Sequence, residues 1–185
     1  MNCIYKFYFK FLLIFSFSNL VSMEKLENEN IEDFLTLAYQ EFDQTPDSGW
    51  RKLVNKNSCQ KEFEKAGNLI IKYLLLNKGK NSLSHSQKSN LYFHSGQMFA
   101  LANDNIKAIE CFKESQELEA SPGFTAWCFY IKATICFLEK DKSGLASIYN
   151  SLKNSFTECL ESNLDIVKRM VENPGKTYAE VYFNS

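Results

Sequence analysis

The stretch that decides the fold runs from Asn90 to Glu117 and reads NLYFHSGQMFALANDNIKAIECFKESQE. Apolar residues recur at helical spacing on both sides of the polar turn Asn103–Asn105, which predicts two amphipathic helices. The small residues Gly96 and Ala108 should let the two backbones approach closely. Large rings should fill the space beside them, and the inner faces are predicted to carry Tyr92, Gly96 and Phe99 on the first helix and Ala108 and Phe112 on the second.

The same aromatic-to-alanine interval of 16 residues occurs three times in the chain. The three pairs are Trp50 with Ala66, Tyr92 with Ala108, and Tyr130 with Ala146. This pattern resembles the tetratricopeptide repeat (TPR), a helix-turn-helix unit of about 34 residues. The resemblance implies an all-α fold, an α-α superhelix of about three TPR-like hairpins at 47–80, 89–122 and 127–160, joined by connections at 81–88 and 123–126.

The first and third units depart from the repeat pattern. Asn57 stands where the first unit should have a large apolar residue, so its first helix should be short. Asn150 replaces the expected aromatic residue in the third unit. The middle unit therefore fits the pattern best.

Flanking helices are expected on both sides of the repeats. In the leader and N-terminal helix at 23–46, the apolar residues of 31–42 lie on one helical face. The segment 161–185 should hold a C-terminal capping helix at 163–172 and a tail, since a helical solenoid needs its last apolar face covered. Thr177 with Glu180 could cap a last short turn, and Ser84 with Gln87 forms a capping-box signature.

Residues 1–22 have the features of a cleaved signal peptide. Lys6 and Lys10 precede the apolar run Phe11–Phe17, and the small residues near Ser22 suit cleavage before Met23. A buried first helix or an uncleaved anchor is the alternative. We expect an exported protein, periplasmic or secreted. The chain has no Asn-x-Ser/Thr sequon, which favours a bacterial envelope.

Composition is that of a globular protein, with 45% hydrophobic and 23% charged residues in 185. The formal net charge of −1 would become −3 without residues 1–22, because that segment contains two lysines and no acidic residue. No basic cluster remains, so a nucleic-acid partner is not expected. The apolar run near the N-terminus is too short to span a membrane.

The sequence contains no motif that indicates catalysis or a bound cofactor. Five cysteines would remain after cleavage, none in a CxxC pair, so we expect no metal site and no cofactor; they are Cys59, Cys111, Cys128, Cys136 and Cys159. They are interpreted as small buried apolar residues, with disulfides between helices as an alternative. His94 and Cys59 are the residues an enzyme would use, but neither has a visible activating partner. The chain is predicted not to be an enzyme.

The predicted binding surface follows from the TPR resemblance, because TPR ligands commonly occupy a groove lined by the first helix of each repeat. By position, the partner-binding groove would contain Arg51, Asn55, Asn90, Phe93, Gln97, Ile131, Ile135 and Glu139. Arg51 could bind a carboxylate and Phe93 could be an aromatic anchor. In the alternative, Ile131 and Ile135 receive the C-terminal helix, which closes the groove.

Three functional hypotheses result. The first is an exported TPR-like module or scaffold that binds a protein or peptide without catalysis. The second is a Cys-dependent enzyme or redox protein of the envelope that uses Cys59 or Cys111. The third is a structural, oligomer-forming protein whose groove is filled internally.

Overall fold

The computed structural model describes residues 31–77, 83–118, 126–154 and 161–183, and within these ranges it contains helices and no strand. The predicted all-α class is therefore confirmed. A π-helix at Gln40–Gln44 and a 3-10 helix at Gly49–Leu53 lie between the first two α-helices. The α-helices are α1 Ile31–Phe34, α2 Gln60–Asn77, α3 His85–Leu101, α4 Asn105–Leu118, α5 Ala126–Glu139, α6 Lys142–Asn154, α7 Glu161–Glu172 and α8 Tyr178–Phe183.

The prediction of one continuous helix over 31–42 is wrong. The chain leaves α1 after Phe34 and turns before the π-helix begins at Gln40. Phe42 and Asp43, neighbours in the π-helix, are both fully buried. Phe42 stacks on Tyr73 of α2, with ring centroids 3.8 Å apart. The helix over 31–42 was predicted only from the local spacing of apolar residues. That spacing gives no information about contacts with distant residues.

Gly49 allows the chain to turn between the π-helix and the 3-10 helix. Its φ is 51°, and an added Cβ atom would lie 2.1 Å from the carbonyl oxygen of Phe42. Only glycine fits such a left-handed, crowded position. The 3-10 helix that follows occupies the place of the first helix of the first predicted repeat. The prediction that this helix is short is borne out, since it has five residues.

The hairpin of α3 and α4 has the close contact that the sequence predicted. An added Cβ atom at Gly96 would lie 2.9 Å from the ring of Phe112 and 3.2 Å from the carbonyl oxygen of Ala108. Ala108 and Phe112 are fully buried. At the start of α3, Ser84 and Gln87 form the predicted capping box, each accepting a hydrogen bond from the backbone of the other.

Helix α3 lies at the centre of the molecule and packs against α2, α4 and α8. Seven consecutive residues, Ser95–Leu101, are buried, so all sides of this part of the helix are covered. Its buried polar groups are paired: Ser95 Oγ donates to the carbonyl oxygen of Gly67 at 3.1 Å, and Ser89 Oγ donates to that of Ser115 at 2.9 Å. Such pairing offsets the free-energy cost of burying hydroxyl groups.

The C-terminal half consists of α5, α6, α7 and α8. Helix α7 contains the predicted helix 163–172 and packs on both α5 and α6, with Ile166, Val167 and Met170 buried. The Thr177–Glu180 cap is present at the start of α8, with the Glu180 carboxylate 2.7 Å from the Thr177 backbone nitrogen.

The three alanines of the repeated interval are in unequal surroundings. Ala66 and Ala108 are fully buried, whereas Ala146 is only partly buried. The connection expected at 81–88 also differs, because α3 begins inside it at His85. The connection predicted at 123–126 ends one residue earlier, because α5 begins at Ala126. The predicted signal peptide, Cys159 and residues 123–125 lie outside the described residues.

Candidate functional site

Four of the eight residues predicted to line the groove are buried. Phe93, Gln97, Ile131 and Ile135 expose between 0% and 8% of their surface. Arg51 and Asn90 are half-buried, and Asn55 and Glu139 are exposed. The middle part of the predicted groove is therefore covered by the protein's own helices.

The short helix α8 covers part of this surface. The hydroxyl oxygens of Tyr178 in α8 and Tyr130 in α5 lie 3.4 Å apart in the interior. The side-chain amide of Gln97 in α3 interacts by hydrogen bonding with the same two tyrosines and with Tyr182. Three helices therefore meet at one buried polar group.

Two further residues complete the surroundings of α8. The rings of Phe183 in α8 and Phe63 in α2 stack with centroids 6.2 Å apart. Burial raises the pKa of the Tyr182 phenol, and the positive charge of the nearby Arg51 guanidinium opposes that rise. We call Arg51, Phe63, Gln97 and Tyr130 together the α8 seat.

Phe93 belongs to an aromatic cluster inside the fold. Its ring centroid lies 4.2 Å from that of Trp127, 5.6 Å from Phe112 and 6.0 Å from Tyr130. Since only 2% of Phe93 is exposed, its ring contributes to packing between α3, α4 and α5. Removing it would create a cavity in the core.

Arg51 belongs to the 3-10 helix, and its side chain reaches the buried residue Asp43. Its guanidinium stacks on the Trp50 ring, 4.2 Å from the centroid, and its Nε donates to the Asp43 backbone oxygen at 2.7 Å. Burial lowers the pKa of Arg51, and the negative charge of Asp43 opposes that change. Arg51 thus has protein partners in the structure, while its side chain remains partly exposed.

Asp43 forms a buried hydrogen-bond network that the sequence did not reveal. Its Oδ1 accepts from Trp50 Nε1 at 2.9 Å and lies 2.8 Å from His94 Nδ1, and its Oδ2 accepts from Gln44 Nε2. Burial alone would raise the pKa of this carboxyl, but His94, Arg51 and the Trp50 N–H together lower it to about 2. The network joins the π-helix, the 3-10 helix and α3.

No single sequence signal marks Asp43. It follows Phe42 in a stretch rich in polar residues, and its hydrogen-bond partner His94 is 51 positions away. His94, which the sequence singled out, has the geometry in which a carboxylate orients an imidazole. Asp43 is also bonded to Trp50 and Gln44, and this arrangement suits a structural role in holding the N-terminal segment on α3.

The other predicted groove residues lie in different environments. Asn90 Nδ2 donates to the Tyr39 hydroxyl at 3.3 Å, on the side of α3 that faces the N-terminal segment. Asn55 uses its side-chain oxygen to accept from the Asn57 backbone at 2.8 Å. Glu139 pairs with Lys113 of α4 at 3.2 Å on the surface.

The four described cysteines are reduced thiols in three kinds of environment, and two of them, Cys128 and Cys136, are partly buried. Cys59 is exposed, whereas Cys111 is buried with its Sγ 3.7 Å from Ser95 Oγ. Burial raises the pKa of the Cys111 thiol to about 11 and also raises that of Cys136. A thiol with a raised pKa is seldom in the nucleophilic thiolate form at neutral pH.

In the described ranges, no three His, Cys, Asp or Glu side chains are grouped so that they could hold a metal ion. No helix in the same ranges is both long and apolar enough to cross a membrane.

None of the known protein families, curated proteins or solved structures compared with this chain matches it. The comparisons therefore neither support nor oppose the TPR resemblance.

Proposed function

We propose that this chain is a non-catalytic, TPR-like helical-repeat module that binds a protein or peptide segment, exported to the bacterial envelope or secreted. The observation that carries the proposal is the α8 seat, a surface of α2, α3, α5 and the 3-10 helix that holds a short aromatic helix. A surface that accommodates one such helix is chemically suited to bind another.

The α3–α4 hairpin supports the repeat interpretation. The close approach of Gly96, Ala108 and Phe112 is the contact that the repeat pattern requires between its two helices. In this proposal the units form an α-α superhelix in which the first unit keeps mainly its second helix, α2. The partner is recognised by shape and apolar burial, with Gln97 and Arg51 as the polar contacts.

The Cys-dependent enzyme is less well supported by the geometry. The raised pKa of Cys111 opposes a nucleophilic role. The carboxylate that could orient His94 as a base is shared with Trp50 and Gln44.

The test is selection of a displayed peptide library on the full chain. We expect enriched peptides to compete with one another. In a chain whose α8 is weakened by Val181→Asp, they should bind at least tenfold more weakly when Gln97→Leu is also present. Glu110→Gln, at an exposed position of α4 outside the predicted groove, serves as the control and should bind normally. If no peptide is enriched, even with a variant in which α8 is weakened, the proposed function is wrong.

A structural, oligomer-forming role is the second candidate, because Leu75 and Leu76 at the end of α2 expose 63% and 50% of their surface. Adjacent exposed leucines suit self-association. Light scattering after size-exclusion chromatography tests this role. An oligomer that Leu75→Glu converts to a monomer would favour it over the binding module.

Export is tested separately by N-terminal sequencing of the protein from its native cells. We expect the mature chain to begin at Met23. A chain that begins at Met1 would contradict the signal-peptide prediction and leave the binding proposal unaffected.

A further inference from the structure

The contacts of α8 resemble those of a bound peptide more than those of a core helix. Tyr178 and Val181 are buried against the protein, while Glu180 between them is exposed. Tyr182 and Phe183 add two rings beside Arg51 and Phe63. Tyr178, Val181 and Tyr182 lie on one face of this six-residue helix, and Phe183 adds a contact at its C-terminal end.

The connection to α7 gives α8 little support. Gly175, Lys176 and Thr177 are exposed, and nothing lies within 4 Å of a Cβ atom built on Gly175. An isolated helix of this length is not stable in water. Opening of α8 therefore costs only its contacts with the seat and α7, and short peripheral elements of this kind open without global unfolding.

Release of α8 would uncover a surface with defined chemistry. Phe63 and Tyr130 provide apolar walls, and Gln97 provides a buried amide for a phenol hydroxyl. Arg51 and Arg169 both lie near Tyr182, where they disfavour a basic residue on an incoming ligand. The surface therefore selects a short helix that carries aromatic rings, one of them with a hydroxyl group. That helix should have no basic residue near these rings.

We propose that the α8 seat is the docking site of the proposed function and that α8 is its built-in occupant, which the partner displaces. The partner is a protein segment that forms a short helix with aromatic residues at positions i, i+4 and i+5 and a β-branched residue at i+3, as in Tyr178, Tyr182, Phe183 and Val181. This inference rests on the proposed function, since it names the class of ligand that the same site binds and the segment that regulates access to it.

The test uses a fluorescent peptide with the sequence of residues 176–183, KTYAEVYF, titrated against the full chain by anisotropy. The variant Val181→Asp places a charge at a buried contact of α8 and weakens the internal competitor. We expect it to bind the peptide at least tenfold more tightly than the unaltered chain does. Lys176→Gln, which changes the charge equally at an exposed position, should behave as the unaltered chain.

A peptide carrying Tyr178→Ser and Val181→Asp should bind none of the proteins. If the folded Val181→Asp chain binds the first peptide no better than the unaltered chain does, the inference is overturned. Circular dichroism establishes whether this variant is folded. If it is not, hydrogen exchange of the unaltered chain decides: α8 should exchange at least tenfold faster than α3, and equal protection overturns the inference.

The remaining outcomes separate this inference from the proposed function. Library peptides that bind but are not displaced by KTYAEVYF would keep the binding role and reject the α8 seat as its site. A dimer in light scattering that Val181→Asp, but not Leu75→Glu, converts to a monomer would make a second copy of this chain the occupant and reject the external partner. A monomer is expected.

Discussion

His94 Nδ1 lies 2.8 Å from Oδ1 of Asp43, and the Asp43 side chain is fully buried. This contact joins the π-helix to the middle of α3 across 51 positions of sequence. A buried carboxylate without partners would be strongly destabilising. The contact therefore determines where the N-terminal segment can pack.

Acidification should destabilise the protein through Asp43. Its pKa in the folded state is about 2, below the value of 3.8 for the free side chain. Its contribution, about 2 kcal/mol, is thus fully present above roughly pH 4 and is lost as the pH falls through 2. Urea unfolding measures the unfolding free energy of the unaltered chain and of Asp43→Asn. The difference between the two should fall by that amount as the pH is lowered from 5 to 2. Asp165→Asn, at an exposed position, is the matched control.

Alkaline pH should destabilise the protein through Tyr178. Burial raises the pKa of this phenol from 10.0 to about 12, despite hydrogen bonds with Tyr130 and Gln97 that lower it. The unfolded chain then loses its proton first, so the unfolding free energy falls as pH rises from 10 to 12. In Tyr178→Phe the fall should be shallower by up to about 1.4 kcal/mol per pH unit, measured by urea unfolding. An unchanged slope would contradict the buried position of the hydroxyl; Tyr149→Phe in α6 is the control.

Gly96→Ala should destabilise the α3–α4 hairpin. The new methyl group would lie 2.9 Å from the ring of Phe112, which is fully buried and has little room to move. Overpacking of this kind costs about 1–3 kcal/mol, partly offset by the better helix propensity of alanine, about 1 kcal/mol. Thermal and urea unfolding should show a net loss, and the loss should be smaller when Phe112→Leu is also present. Gly175→Ala, where the methyl group meets nothing within 4 Å, should cost much less.

The thiols should react in the order of their exposure. With iodoacetamide at neutral pH, Cys59 should be alkylated at least tenfold faster than Cys111, because Cys111 is buried and has a raised pKa. Mass spectrometry of digested protein after short labelling measures both rates. Rapid alkylation of Cys111 in the native state would instead support the Cys-dependent enzyme.

The elements that depend on local chemistry could be predicted. The Ser84–Gln87 box and the Thr177–Glu180 cap are found at the expected helix starts, because each satisfies free backbone N–H groups three residues away. The paired small residues Gly96 and Ala108 likewise indicated a close hairpin. The continuous helix over 31–42 was predicted from the same kind of pattern and is wrong, because Phe42 and Asp43 make their contacts with distant residues.

By itself, the sequence determined the helical class, the hairpin of α3 and α4, and several helix caps, since these depend on residues within a few turns of one another. Only the tertiary structure decided that Asp43 pairs with His94 and that α8 covers Gln97 of α3. The physical reason is that burial, and with it the partners of buried polar groups, depends on how distant segments share one interior.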